Sequence, residues 1–125
     1  MRLLLDTHAL LWWLAEPEML SAEARDAISN SSNDVYVSAA SAWEIAIKKR
    51  LGKLEAPDDL EIQIYESRFT SFPIDLQHGL AVEHLPPIHR DPFDRMLIAQ
   101  ARLEQLTLVS RDEMIPRYDV SVLTA

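Results

Sequence analysis

Leu3-Leu4-Leu5-Asp6-Thr7-His8-Ala9-Leu10-Leu11-Trp12 is the stretch that decides the fold. Residues 2–6 read as a strand whose apolar run, Leu3 to Leu5, reaches the carboxylate with no polar alternation, the pattern of a strand covered on both faces in a parallel sheet. Helix follows at once, from Thr7 to about Ala15, and ends ahead of Pro17 because the residue before a proline is pushed out of the α region.

The same alternation continues outward. Ser21 reads as an N-cap, with Glu23 in the first turn, for a helix to about Ser29. Asn30-Ser31-Ser32-Asn33-Asp34 is a turn cluster, Val35-Tyr36-Val37-Ser38 a short strand, and Ala40 to Leu51 a helix stopped by Gly52. Asp58 to about Phe69 reads as helix, Phe72-Pro73-Ile74-Asp75 as a short strand or extended link, and His78 to Leu85 as a helix closed by Pro86-Pro87. Pro92, at a first-turn position, starts a helix to about Gln105. Thr107 to Ser110 is a strand, Asp112 to Ile115 a short helix, and Val120-Ser121-Val122 the last strand. Strands alternating with helices imply a parallel α/β sheet with helices on both faces. No repeat or linker interrupts the 125 residues, so one domain over 1–125 is expected.

Composition narrows the chemistry. The absence of cysteine excludes disulfides, thiolate nucleophiles and zinc–sulfur sites. A net charge of −8 argues weakly against nucleic acid as a partner, since phosphate contacts normally come from a basic surface. The cations are uneven, however: Lys48, Lys49, Arg50 and Lys53 cluster, and Arg90, Arg95 and Arg111 flank the last acids, where they are candidates for substrate phosphates. Neither a signal peptide nor an apolar run of about 18 residues is legible, so a cytoplasmic protein is expected.

Four acids adjoin apolar sequence, where a carboxylate is unfavourable unless something neutralises it. Asp6 is evenly balanced between a helix cap and a ligand. Glu44 has the spacing of a capping box with Ser41, yet shares a helical face with Ile47 and Leu51 while Lys48, Lys49 and Arg50 take other directions. Asp94 heads the stripe Leu97, Ile98 and Ala101 and points inward, whereas Asp91 suits the cap of the helix that Pro92 begins. Asp112 alone reads better as a turn or cap residue, and Ser110 shares its ambiguity with a second-sphere hydroxyl. In an open α/β sheet, sites form beyond the carboxyl ends of the strands, which is where Asp6, Glu44 and Asp112 fall.

His78, His84 and His89 share no helical ridge, and His8 follows Asp6-Thr7; a zinc site from them is improbable and local hydrogen bonding is the simpler reading. Trp12 and Trp13 are adjacent, so at most one is expected to face the core, leaving the other for a partner surface or for solvent.

Oxygen ligands without thiolates select magnesium or manganese. Four carboxylates suit one such ion or two about 3.5–4 Å apart, a centre fitted to phosphodiester hydrolysis.

The segments Leu3 to Trp12, Ser38 to Lys48, His89 to Ala101 and Leu108 to Asp112 together resemble the PIN domain, specifically the VapC-type toxin ribonucleases of bacterial type II toxin–antitoxin systems. The resemblance implies a three-layer α/β/α domain with a mostly parallel central sheet of four to five strands. It also implies a Mg2+-dependent endoribonuclease, with Mn2+ as an alternative ion. Its acids would fall on Asp6, Glu44, Asp94 and Asp112 as catalytic and metal residues, with Thr7, Ser110, Asp91 and Arg95 supporting them. A homodimer, an RNA substrate and a cognate antitoxin protein are further implications. Two rival readings fare worse: a phosphoacceptor receiver wants an acidic pair after the first strand and a lysine after the last, and no lysine follows Lys53. A non-catalytic α/β interaction module, whose acids merely cap helices, predicts no stoichiometric metal binding.

Overall fold

A computed structural model describes all residues, 1–125. The elements are β1 (Arg2–Leu5), α1 (Thr7–Ala15), α2 (Ala22–Ser29), β2 (Asp34–Ser38), α3 (Ala39–Arg50), α4 (Leu60–Glu66), β3 (Thr70–Phe72), α5 (Leu76–Ala81), α6 (Pro92–Glu104), β4 (Thr107–Ser110) and β5 (Ser121–Thr124). Short 3-10 turns at Pro17–Met19, Val82–His84 and Ile115–Arg117 complete the chain.

The five strands form one sheet in the order β3-β2-β1-β4-β5, and every pairing is parallel. Leu5 lies opposite Val37 on one side and Val109 on the other, so β1 is the central strand. Its side chains alternate between two cores, as strand geometry requires. Leu3 and Leu5 pack with Ala9 and Leu10 of α1 and Ala24 and Ile28 of α2. Leu4 packs on the opposite face with Leu97, Ile98 and Ala101 of α6. This is the three-layer arrangement the alternating pattern implies. Helix α3 belongs to both layers: Ala40 joins the α6 core while Ile45 joins the α1 core. It therefore crosses the carboxyl end of the sheet, and that crossing places Glu44.

The boundaries depart from the sequence expectation in several places, among them β5, which is Ser121–Thr124 and not Val120–Val122. β3 is Thr70–Phe72 and not Phe72–Asp75: Tyr36 to Ser38 pair with it, and Pro73 lacks the N–H to extend the ladder. α4 is shorter than expected at both ends, and Arg68 just beyond it takes a left-handed conformation (φ 63°). α5 starts at Leu76, two residues early, because Asp75 and His78 form a reciprocal capping box. Asp112 lies in a loop, and the turn after it begins at Ile115 with Pro116 in its first positions. Trp12 and Trp13 are both half-buried against the same core, Trp13 packing on Phe69 and Trp12 beneath the Arg111 guanidinium. The apolar arc of α1 is wide enough to take both. No helix is long and apolar enough to cross a membrane.

Candidate metal centre

β1, β2 and β4 are neighbours and end on the same edge of the sheet, and the segment after each strand carries an acid. Asp6 leaves β1 with its N–H donating to the Val109 carbonyl at 3.1 Å. Its Oδ1 accepts the Ala9 N–H at 2.8 Å, so it does cap α1. The cap does not exhaust it. Burial pushes its carboxyl above the usual range and the Glu44 charge adds to that, while the Ser110 hydroxyl, the Ala9 N–H and His8 pull the other way.

Glu44 is the most buried of the four, 5% exposed. The Thr7 hydroxyl donates to Oε1 at 2.5 Å, and Lys48 Nζ lies 2.5 Å from Oε2. The alternative capping box with Ser41 is not formed, because α3 begins earlier: Ser38 is its N-cap, accepting the Ala40 N–H at 3.0 Å. Ser38 also donates to Gln100 Oε1 at 2.6 Å, which ties the start of α3 to α6. Nor does the stripe Glu44, Ile47, Leu51 face inward, since Ile47 and Leu51 are exposed. The inward face is Ala40, Ser41, Glu44 and Ile45, and Lys48 turns onto it at i+4.

Asp94 sits in the first turn of α6. Asp91 caps that helix, accepting the Phe93 N–H at 2.8 Å and the Asp94 N–H at 3.0 Å. The Asp94 carboxyl is pushed up to about 6, by burial first and then by the charges of Asp91, Glu44 and Asp112, against relief from His89. Asp112 Oδ1 accepts the Met114 N–H at 2.9 Å and Oδ2 lies 2.6 Å from His89 Nε2. Burial acts to raise its value too, but the His89 and Met114 donors outweigh it and hold the carboxyl below its ordinary range. Ser110 joins the first and last acids: its Oγ accepts the Asp112 N–H at 3.1 Å and its hydroxyl faces Asp6.

The acids thus form one electrostatic group. Asp6 feels Glu44, and Asp94 feels both Glu44 and Asp112. Ligand atoms of His89, Asp94 and Asp112 lie within 4.8 Å of one another. A hard divalent cation suits the Asp94 and Asp112 oxygens of this group, because it would neutralise a carboxyl that burial, and then the charges of Asp91, Glu44 and Asp112, hold near 6. Asp94 and Asp112 offer its closely grouped oxygens, while the Asp6 and Glu44 carboxyls are tied to them here only through charge.

A second group, Asp75, His78 and Glu104, is differently built. His78 Nδ1 accepts the Asp75 N–H at 3.1 Å and Nε2 lies 3.0 Å from Glu104 Oε1, so both ring nitrogens are engaged in bracing α5 to α6.

Three residues stand at the site that sequence reasoning did not place there: Lys48, His89 and Tyr118. The i+4 spacing from Glu44 was the available signal for Lys48. His89 lies in a proline-bounded loop with no periodicity to read. Two of the expected phosphate-binding arginines are engaged elsewhere. Arg95 donates to the carbonyls of Val82, Leu85, Pro86 and His89 at 2.9–3.3 Å. Arg111 donates to the Ala125 and Met19 carbonyls and lies over the Trp12 ring. Arg90 is exposed.

A family model described as PIN domain matches residues 3–121. Among solved structures, VapBC2 from Rickettsia felis bound to a promoter DNA fragment is similar with a TM-score of 0.73 at 14% identity, over 98% of each chain. DNA-bound VapBC from Salmonella typhimurium gives 0.70 at 16% identity, over 98% of this chain and 97% of that one. FitAcB from Neisseria gonorrhoeae gives 0.62 at 19% identity, over 98% and 96%. No curated protein sequence matches the chain.

Proposed function

Because the chain belongs to the PIN domain family, we propose that it is a metal-dependent endoribonuclease acting as a single domain over residues 1–125, the VapC-type toxin of a type II toxin–antitoxin pair. One observation carries this reading. Asp94 is held near 6 by burial first and then by the charges of Asp91, Glu44 and Asp112, at the edge of the sheet where Asp6 also leaves its strand. Such a concentration of carboxylates is unfavourable in a helix-capping role and useful in a cation site.

The catalytic and metal residues are Asp6, Glu44, Asp94 and Asp112. The ion is Mg2+, with Mn2+ as a substitute; when bound it supplies a water of lowered pKa and charge stabilisation at the phosphorus. The remaining work falls to the chain. Thr7 orients Glu44 through its hydroxyl, and Ser110 spaces Asp6 from Asp112. Asp91 fixes the first turn of α6, from which Asp94 projects, and Arg95 fastens the loop that precedes it. Arg90, exposed beside this edge, is the arginine free to meet a substrate phosphate.

The solved relatives are toxin–antitoxin assemblies, which supports a cognate antitoxin as partner. An acidic chain that acts on RNA is also reconciled with its charge if a basic antitoxin segment covers it at rest. A homodimer and a cytoplasmic location complete the proposal. The test is cleavage of structured RNA by the purified chain with Mg2+ or Mn2+, its arrest by chelator, and its loss in Asp94→Asn with circular dichroism unchanged. Cleavage that survives chelator or that substitution would overturn the assignment.

A further inference from the structure

His89 is held from two sides. Its backbone N–H donates to the Tyr118 hydroxyl oxygen at 2.8 Å, and that same oxygen lies 2.9 Å from His89 Nδ1. On the far side of the ring, Nε2 lies 2.6 Å from Asp112 Oδ2. Tyr118 is 3% exposed and its ring lies against the imidazole, with centroids 5.5 Å apart. Arg95 adds an anchor by donating to the carbonyls of His89 and of Pro86 in the same loop.

Nε2 faces an ionised carboxylate oxygen at 2.6 Å and so carries the proton of that contact, while Nδ1 shares the Tyr118 oxygen as either acceptor or donor. Met114 N–H holds the other oxygen of Asp112, so the carboxylate is fixed in plane as well as in position. We propose that His89, braced by Tyr118, is the positioning residue that aims Asp112 into the metal centre. The inference rests on Asp112 being a metal residue. It differs from a role for His89 as a ligand, because a protonated Nε2 has no lone pair to give and Nδ1 is taken by Tyr118. Outer partners of this kind typically change metal affinity or activity by about 10–100-fold when removed.

Two measurements on the intact chain test it. In 15N-histidine NMR, the His89 signals should report a protonated Nε2 and keep that proton when Mg2+ is added. In calorimetric Mn2+ titrations, His89→Ala should bind about 10–100-fold more weakly. His89→Gln, which restores an N–H near the Nε2 position, should recover part of that loss. Tyr118→Phe should loosen the ring and weaken Mn2+ binding in the same direction. Loss of the Nε2 proton on Mg2+ addition would mean direct ligation and overturn the inference. So would a folded His89→Ala that binds Mn2+ as tightly as the wild type. A wild-type chain that binds no Mn2+ at all would instead sink the metal centre itself, and this inference with it.

Discussion

The Lys48 ammonium lies 2.5 Å from Glu44 Oε2, one turn along α3, so the most buried carboxylate of the acidic group carries a cation of the chain's own. The hydrogen bond to Glu44 raises the Lys48 ammonium's own pKa, and the charges of Asp91 and Asp94 add to it. Lys48→Met leaves Glu44 with the Thr7 hydroxyl alone among three other acids. In chelator the variant should be less stable by about 2 kcal/mol, the scale of a hydrogen bond to a charged group. Mn2+ should then raise its urea midpoint more than it raises the wild type's, because the ion takes the place of the missing ammonium. Equal midpoints in chelator would show the ion pair to be energetically idle.

Asp94 gives a pH dependence whose direction is fixed. Its carboxyl titrates near 6 in the fold against 3.8 ordinarily. Below about pH 4 it is protonated in both states and has no effect. As pH rises from about 4 to 6, the unfolded chain gives up the proton first, and the fold loses about 1–2 kcal/mol, screened because the carboxyl is partly exposed, that stays lost above 6. Asp112, held below its ordinary value, acts in the opposite sense but only below that window. Asp94→Asn should therefore be more stable than the wild type at pH 7 in chelator and should lack the decline between about pH 4 and 6. Urea unfolding at several pH values decides it; identical curves for the two proteins would contradict the raised value.

Much of this was legible in advance, for local reasons. The uninterrupted apolar run before Asp6 identified the central parallel strand, and the stripe Leu97, Ile98, Ala101 identified the buried face of α6, all three of which are buried. Glu44 illustrates the limit. Helical periodicity offered two faces, and only the crossing of α3 over the sheet edge decides that Ala40 and Ser41 share its side and that Ile47 does not. The arginines illustrate another: a guanidinium finds whichever acceptors lie nearest, and the four carbonyls around Arg95 are created by a loop without a sequence period. His89 and Tyr118 meet across 29 residues, a pairing no spacing rule reaches.

Thr7 offers a narrower test of the centre's interior. Its hydroxyl donates to Glu44 Oε1 at 2.5 Å and lies 3.2 Å from Ser41 Oγ, with the residue 5% exposed. Thr7→Val keeps the shape and deletes the donor, so a stability loss of about 1–3 kcal/mol is expected, along with weaker Mn2+ binding. Thr7→Ser should recover most of both. Denaturant unfolding and Mn2+ titration of the three proteins suffice, and a Thr7→Val variant indistinguishable from wild type in both would remove Thr7 from the site.

Arg90 and Arg95 are neighbours of the same helix start with opposite expected roles. Arg95 is spent on carbonyls of Val82, Leu85, Pro86 and His89, so Arg95→Met should destabilise the chain by about 2–3 kcal/mol, by releasing the loop that carries His89. RNA affinity, measured in the cleavage-blocked Asp94→Asn background, should keep its salt dependence in that variant, since no phosphate contact has been removed. Arg90→Ala should do the reverse. Its exposed side chain carries little of the fold, so stability should stay within about 0.5 kcal/mol. The slope of log affinity against log salt should become shallower by about one phosphate contact. A shallower slope for Arg95→Met at unchanged stability would exchange the two assignments, because a guanidinium cannot hold four carbonyls and a substrate phosphate with the same N–H groups.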